Sequence, residues 1–205
     1  MKRRDDLLVT LKDKVVEAIK VGKKDEAITL VQELYEKFKP LHDRYCDWIN
    51  LLFVYIAKNL GEEAVKDATK MLVTKIYPPM FEQLKKLSYE QLVNAVVELH
   101  KAHYSKFYVV EDEEKTVIVV TGCNSGGGRI LRDGLPQLPR KEGLTKKAWP
   151  WSFNKEGFPY YCVHAYFFNK LFKQLGLNIE VQWGRMYDEK GNPIDEPCKY
   201  VIYKK

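Results

Sequence analysis

The order of apolar and polar residues divides the chain into a helical first half and a β-rich second half. Leu7, Leu8, Leu11, Val15, Ala18 and Ile19 recur at helical spacing, and Gly22 closes that segment. Asp25 to Phe38 carries Ile28, Val31, Leu34, Tyr35 and Phe38 on one stripe. Pro40 is expected to interrupt it, because proline lacks the amide donor that a helix interior needs. A third helix is expected from His42 to about Asn59, with Gly61 as its stop, and a fourth from Glu62 to about Tyr77, where Pro78-Pro79 breaks the pattern. Ser88 followed by Gln91 is a capping box that opens a helix reaching roughly Tyr104.

Near Phe107 the period shortens. Phe107 to Val110 and Lys115 to Thr121 are β-rich and flank the acidic turn Glu111-Asp112-Glu113-Glu114, the pattern of a hairpin. Gly122 to Pro159 follows as a long irregular segment, with Trp149, Trp151 and Phe153 to pack it. Tyr160 to Leu175 reads as an amphipathic helix ended by Gly176. Asn178 to Tyr187 and Lys199 to Tyr203 read as strands joined by a turn-rich linker. The expected fold is therefore α+β: an N-terminal helical bundle packed on a small antiparallel sheet with one crossing helix, in hairpin–helix–hairpin order. The expected division is a helical region over 1–106 and an α+β ligand- or metal-binding domain over 107–205.

Composition narrows the classes. Of 205 residues, 45% are hydrophobic and 30% charged, a globular balance that supports a core without disulfide staples. The net charge of +6 is modest and comes largely from lysines interleaved with glutamates. The basic groups at Arg140, Lys141, Lys146 and Lys147 read as solvated surface, so no nucleic-acid partner is expected. No apolar run reaches membrane-spanning length and no signal-peptide pattern opens the sequence, so no membrane partner and a cytoplasmic location are expected. Four cysteines in a reducing compartment are expected as thiols or metal ligands.

Three of those cysteines fall at element ends. Cys123 follows a strand, Cys162 starts a helix with His164 two residues on, and Cys198 starts the last strand. Three thiolates and an imidazole are a normal tetrahedral zinc set, so Cys123, Cys162, His164 and Cys198 are the candidate metal ligands. A helix start lowers a thiol's pKa, which makes Cys162 also the candidate nucleophile; inert packing of buried thiols is the alternative. The Gly122–Arg129 turn presents Ser125, Gly126, Gly127 and Arg129 as a possible anion cradle, or else as a tight structural turn. His42 with Cys46, and His100 with His103, stand one turn apart on their helices, a second and weaker ligand pattern.

The stretches Gly122-Cys123-Asn124-Ser125-Gly126-Gly127-Gly128-Arg129, Pro150-Trp151-Ser152-Phe153 and Pro159-Tyr160-Tyr161-Cys162-Val163-His164 resemble a bacterial group similar to L-2-amino-thiazoline-4-carboxylate hydrolase. The ending, from Gly191-Asn192-Pro193 to Pro197-Cys198-Lys199-Tyr200, also resembles the close of 4-vinyl-reductase-type small-molecule-binding domains. The resemblance implies a ligand pocket between helices and sheet, with a metal near the cysteines. Where phenol-sensing relatives carry a carboxylate and a cysteine, this chain has Trp183, Arg185 and Met186.

The functional expectation is a hydrolase of a C–N or C=N bond in a small carboxylated or ring-containing molecule. Zinc would activate water, Cys162, His164 and Tyr161 would act at the reacting centre, and Ser125, Gly126, Gly127, Arg129 and Trp151 would hold the substrate. The alternative is a non-catalytic protein binding a small molecule or tetrapyrrole-like ligand. A homodimer through the N-terminal helices is a further expectation.

Overall fold

The structure, a computed structural model, describes residues 9–204. Leu7 and Leu8 of the first expected helix and the final lysine lie outside the described residues. The chain divides into two compact units, Met1–Tyr45 and Cys46–Lys205.

The first unit contains α1, Leu11–Lys20, and the first part of α2, Lys24–Leu60. Thr10 caps α1 in a reciprocal box with Asp13. Among the described residues of this unit only Ala18 and Ala27 are buried. One feature departs from the sequence expectation: α2 runs through Pro40 without a break. Pro40 is exposed, so the Glu36 carbonyl it leaves without a donor is free to meet water, and the Lys39–Asp43 ion pair at 2.6 Å spans the site.

The second unit takes its helices from α3 (Glu62–Ile76), α4 (Pro78–Leu84), α5 (Tyr89–Ala102), α6 (Gly126–Arg132) and α7 (Val163–Leu175), besides the end of α2. Its strands are β1 (Lys106–Glu111), β2 (Lys115–Gly122), β3 (Ile179–Gln182) and β4 (Cys198–Tyr203). All pairings are antiparallel, in the order β1-β2-β4-β3. The α+β class, the first hairpin, the Ser88–Gln91 capping box and the helix ended by Gly176 are all present. This unit begins at Cys46 and not near 107, because α3, α4 and α5 share one apolar core with α7 and the sheet.

Alternation along the strands sends Thr116, Ile118 and Val120 of β2 to the inner face, opposite Ile202, Tyr200 and Cys198 of β4. Ile179 and Val181 of β3 join the same face. The Tyr89 hydroxyl lies 2.6 Å from Thr116 Oγ1 and ties α5 to the sheet. Asn169 on α7 clamps the edge strand β3, its amide donating to the Val181 carbonyl at 2.8 Å and its carbonyl accepting from the Val181 N–H at 2.7 Å. Tyr77 and Phe81 meet Phe168 of α7 edge-on at 4.8 and 5.2 Å between ring centroids.

Two differences in this unit shape the site. The segment expected to be irregular from Gly122 holds the short helix α6. The strand expected to reach Tyr187 ends at Gln182, because Gly184 lies against the Glu196 and Pro197 carbonyls, where a Cβ would stand 2.2 and 2.4 Å away. Among the described residues no helix is long and apolar enough to cross a membrane.

Candidate functional site: an apolar cavity between helices and sheet

Helices α3, α4, α5 and α7 and the inner face of the sheet line a partly open cavity of about 550 Å³ in the second unit. Its apolar wall includes Leu72, Phe81, Val96, Val120, Phe168 and Val181. Among the described lining residues the sole carboxylate is Glu98, which is exposed, and there is no lysine or arginine. That volume falls in the range that takes a ligand of drug size.

Burial favours the neutral form of several polar members of the wall. Cys123, Cys162 and Cys198 all line the cavity. Burial is the main force raising the Cys162 thiol well above its ordinary range, and the neighbouring Cys198 and Cys123 push it the same way. The Trp183 indole N–H lies alongside and favours the thiolate, without a hydrogen bond of ordinary geometry. Burial raises Cys198 to about 12 even though its sulfur accepts from the Gly184 N–H at 3.2 Å. Cys123 shares a 2.7 Å contact with the Ser125 hydroxyl. All four cysteines are free thiols.

The imidazoles follow the same rule. Burial lowers His164 to about 4, against the Tyr161 carbonyl that accepts from its Nδ1. A carbonyl only accepts, so Nδ1 carries the proton and Nε2 is the bare nitrogen. His100 is likewise lowered to about 4 by burial, with His103 adding to the effect. Burial also raises the Tyr161 and Tyr200 hydroxyls far above their usual range. Burial thus favours the uncharged form of Cys162, Cys198, His100, His164, Tyr161 and Tyr200.

Three buried polar atoms among the described residues make no hydrogen bond: His100 Nε2, Ser105 Oγ and Trp183 Nε1. All three residues line this cavity. Buried polar groups are nearly always paired, and each one left alone costs about 1–3 kcal/mol.

The expected site residues separate into two groups. Cys123, Ser125, Tyr161, Cys162, His164 and Cys198 face the same cavity. Gly126, Gly127, Arg129 and Trp151 do not line it. The Gly126 and Gly127 positions serve close packing: an added Cβ would stand 2.3 Å from the Tyr161 ring at Gly126 and 2.1 Å from Cys162 Sγ at Gly127. Arg129 spends its guanidinium on Asp47, with Nη2 donating to Oδ2 at 2.8 Å and Nε to Oδ1 at 3.3 Å. Trp151 stacks on Trp149 at 5.6 Å and donates to Glu63 at 3.1 Å, while Trp149 and Tyr160 donate to Glu62 at 2.6 and 2.7 Å. The start of α3 thus anchors the aromatic loop outside the cavity.

Among the described residues, no three of Cys123, Cys162, His164 and Cys198 bring ligand atoms within 4.8 Å of one another. Donors do come within that range at another lining residue, His103, whose ring nitrogen lies near Cys46 Sγ. His42 precedes Cys46 by one turn of α2, so thiol and imidazole donors of the kind that hold a metal ion occur here.

Sequence reasoning missed His100, Trp183 and Tyr200 as parts of the cavity. The pairing of His100 with His103 was a visible signal, and Trp183 stood at the departure from the related domains. Tyr200 carried no signal beyond strand alternation. No family model, curated protein or solved structure matches the chain.

Proposed function

We propose that this protein binds a neutral, largely apolar small molecule in the cavity of its second unit, with polar atoms at one end. The observations that carry this reading are the lining itself, a largely apolar wall without lysine or arginine, the neutral forms that burial favours at Cys162, Cys198, His100 and His164, and three residues of that wall with a buried polar atom that makes no hydrogen bond. A charged ligand would be buried there without a counter-ion, at a cost of several kcal/mol. The Trp183 N–H calls for an acceptor on the ligand, and the Ser105 hydroxyl suits either a donor or an acceptor. A pocket between helices and sheet is also what the resemblance to the hydrolase-like family implies.

Binding is favoured over hydrolysis of a carboxylated substrate. The thiol of Cys162 is held protonated, and an imidazole at about 4 is a weak base at neutral pH. Arg129, the expected carboxylate clamp, is already paired with Asp47. The test is titration with neutral bicyclic aromatic alcohols, read by Trp183 emission and by calorimetry. Saturable binding at one site, weakened by Trp183→Phe, supports the reading; no saturable binding by any such compound, with the protein folded, counts against it.

A second reading, favoured by the proximity of Cys46 and His103, adds a bound metal ion, zinc by the donor chemistry. Metal retained on purification should then fall with Cys46→Ala and persist in Cys162→Ala. The opposite dependence would place the metal among the cavity thiols.

A further inference from the structure

We propose that β1 is a homodimerisation strand, pairing antiparallel with β1 of a second copy so that one sheet runs through both chains. β1 and β3 are the two edges of the sheet. β3 is short, and Asn169 of α7 engages the backbone of its Val181. β1 is left open. The Asp112 N–H donates to the Lys115 carbonyl at 3.0 Å, which sets the alternation along the hairpin, so Val110 and Tyr108 exchange their backbone bonds with Val117 and Val119. The N–H and C=O groups of Phe107, Val109 and Glu111 therefore point away from β2, and among the described residues they have no backbone partner. Tyr108, Val109 and Val110 are 54%, 42% and 49% exposed. An open apolar edge of this kind is a template for another strand.

Register and charge select a second copy as that strand. A symmetric pair centred on Val109 uses all three outward residues: Val109 faces Val109, and Phe107 faces Glu111 of the second copy, with about six hydrogen bonds exchanged. The same register sets Tyr108 beside Val110, an aromatic side chain against a β-branched one, and Lys106 beside Asp112. Lys106 is exposed and makes no ion pair among the described residues. Asp112 Oδ1 accepts from the Glu114 and Lys115 N–H groups, both at 2.8 Å, which leaves Oδ2 for a cation. Glu111 is already paired with Lys204 at 2.6 Å. β1 thus has a basic start and runs into an acidic turn, and two such strands match in charge when antiparallel, whereas a parallel copy would set acid against acid. With β3 held by Asn169, pairing stops at two chains.

Sedimentation equilibrium of the full chain, over a wide range of concentration, should show a mass that rises to twice 24.0 kDa and falls on dilution. Val109→Pro should give the monomer mass with unchanged far-ultraviolet dichroism, because the amide it removes faces outward and no β1–β2 bond is lost. Lys106→Glu should weaken the dimer about tenfold. Hydrogen exchange of the wild-type chain should slow at the Phe107, Val109 and Glu111 amides as concentration rises, a readout that holds even if Val109→Pro fails to fold. A wild-type monomer at every concentration overturns the proposal. So does a dimer whose three edge amides exchange equally fast at all concentrations, or one that a folded Val109→Pro variant leaves intact.

Discussion

Gly127→Ala is the sharpest probe of how the cavity floor is built. The new methyl would stand 2.1 Å from Cys162 Sγ, whereas non-bonded heavy atoms settle at about 3.5–4.0 Å. Sulfur or helix must therefore move by more than an ångström, and α6 is already in close contact on both sides of this residue. A Cβ at Gly126 would meet the Tyr161 ring at 2.3 Å, and one at Gly128 the Cys123 carbonyl at 2.1 Å. Overpacking of this kind costs about 1–3 kcal/mol, against a helix-propensity gain of about 1 kcal/mol for alanine over glycine. A net loss of about 1 kcal/mol in urea unfolding is expected, together with weaker ligand binding as the sulfur is driven into the cavity. In a Cys162→Ala background the clash is gone and the propensity gain remains, so Gly127→Ala should be neutral or stabilising there. The double-mutant cycle should return a coupling of about 2 kcal/mol. Stabilisation by Gly127→Ala in the wild-type chain, or a coupling indistinguishable from zero, would refute the packing account of the glycine run.

Arg129→Ala should lower stability by about 1–3 kcal/mol, because it strips a half-buried Asp47 of a two-pronged charged hydrogen bond, and should leave the affinity for a neutral ligand unchanged. Loss of binding with stability intact would return Arg129 to the ligand site. The neutral buried imidazole of His100 makes stability depend on pH: its folded pKa of about 4 lies below the unfolded 6.5, so the unfolded state takes up the proton first as pH falls. Stability should be full above 6.5 and should decline by about 1.4 kcal/mol per pH unit down to about 4, with His164 adding in the same direction. A His100→Phe variant should show a shallower decline, and an identical slope would show that His100 is not held neutral.

Much of the fold was legible because its signals are local. The Ser88–Gln91 box, the acidic turn between β1 and β2, and Gly176 at φ 70° each specify their element within a few residues. The misses have tertiary causes. Pro40 ends a helix by propensity, yet at an exposed position the loss of one donor did not outweigh a continuous α2. Three glycines in a row argue against a helix, yet α6 forms, and the tight packing around it leaves no room for a Cβ at any of the three. The site was half legible for a similar reason. Cys123, Cys162, His164 and Cys198 drew notice by residue type and by placement at element ends, and all four line the cavity. Arg129 drew notice as a guanidinium beside a glycine turn, but Asp47, distant in sequence, determines its role. His100 and Trp183 matter because their partners are missing, and only three-dimensional packing reveals a missing partner.

The preference of the cavity for an uncharged occupant is tested most directly by a matched pair of ligands. The pair is a neutral bicyclic alcohol and the carboxylate of the same ring, titrated side by side at neutral pH by calorimetry. A buried charge without a counter-ion costs several kcal/mol, and each 1.4 kcal/mol is about tenfold in affinity, so the alcohol should bind at least about a hundredfold more tightly. Equal or tighter binding of the carboxylate would show that the cavity supplies a cationic partner, and would contradict the reading of a neutral apolar site.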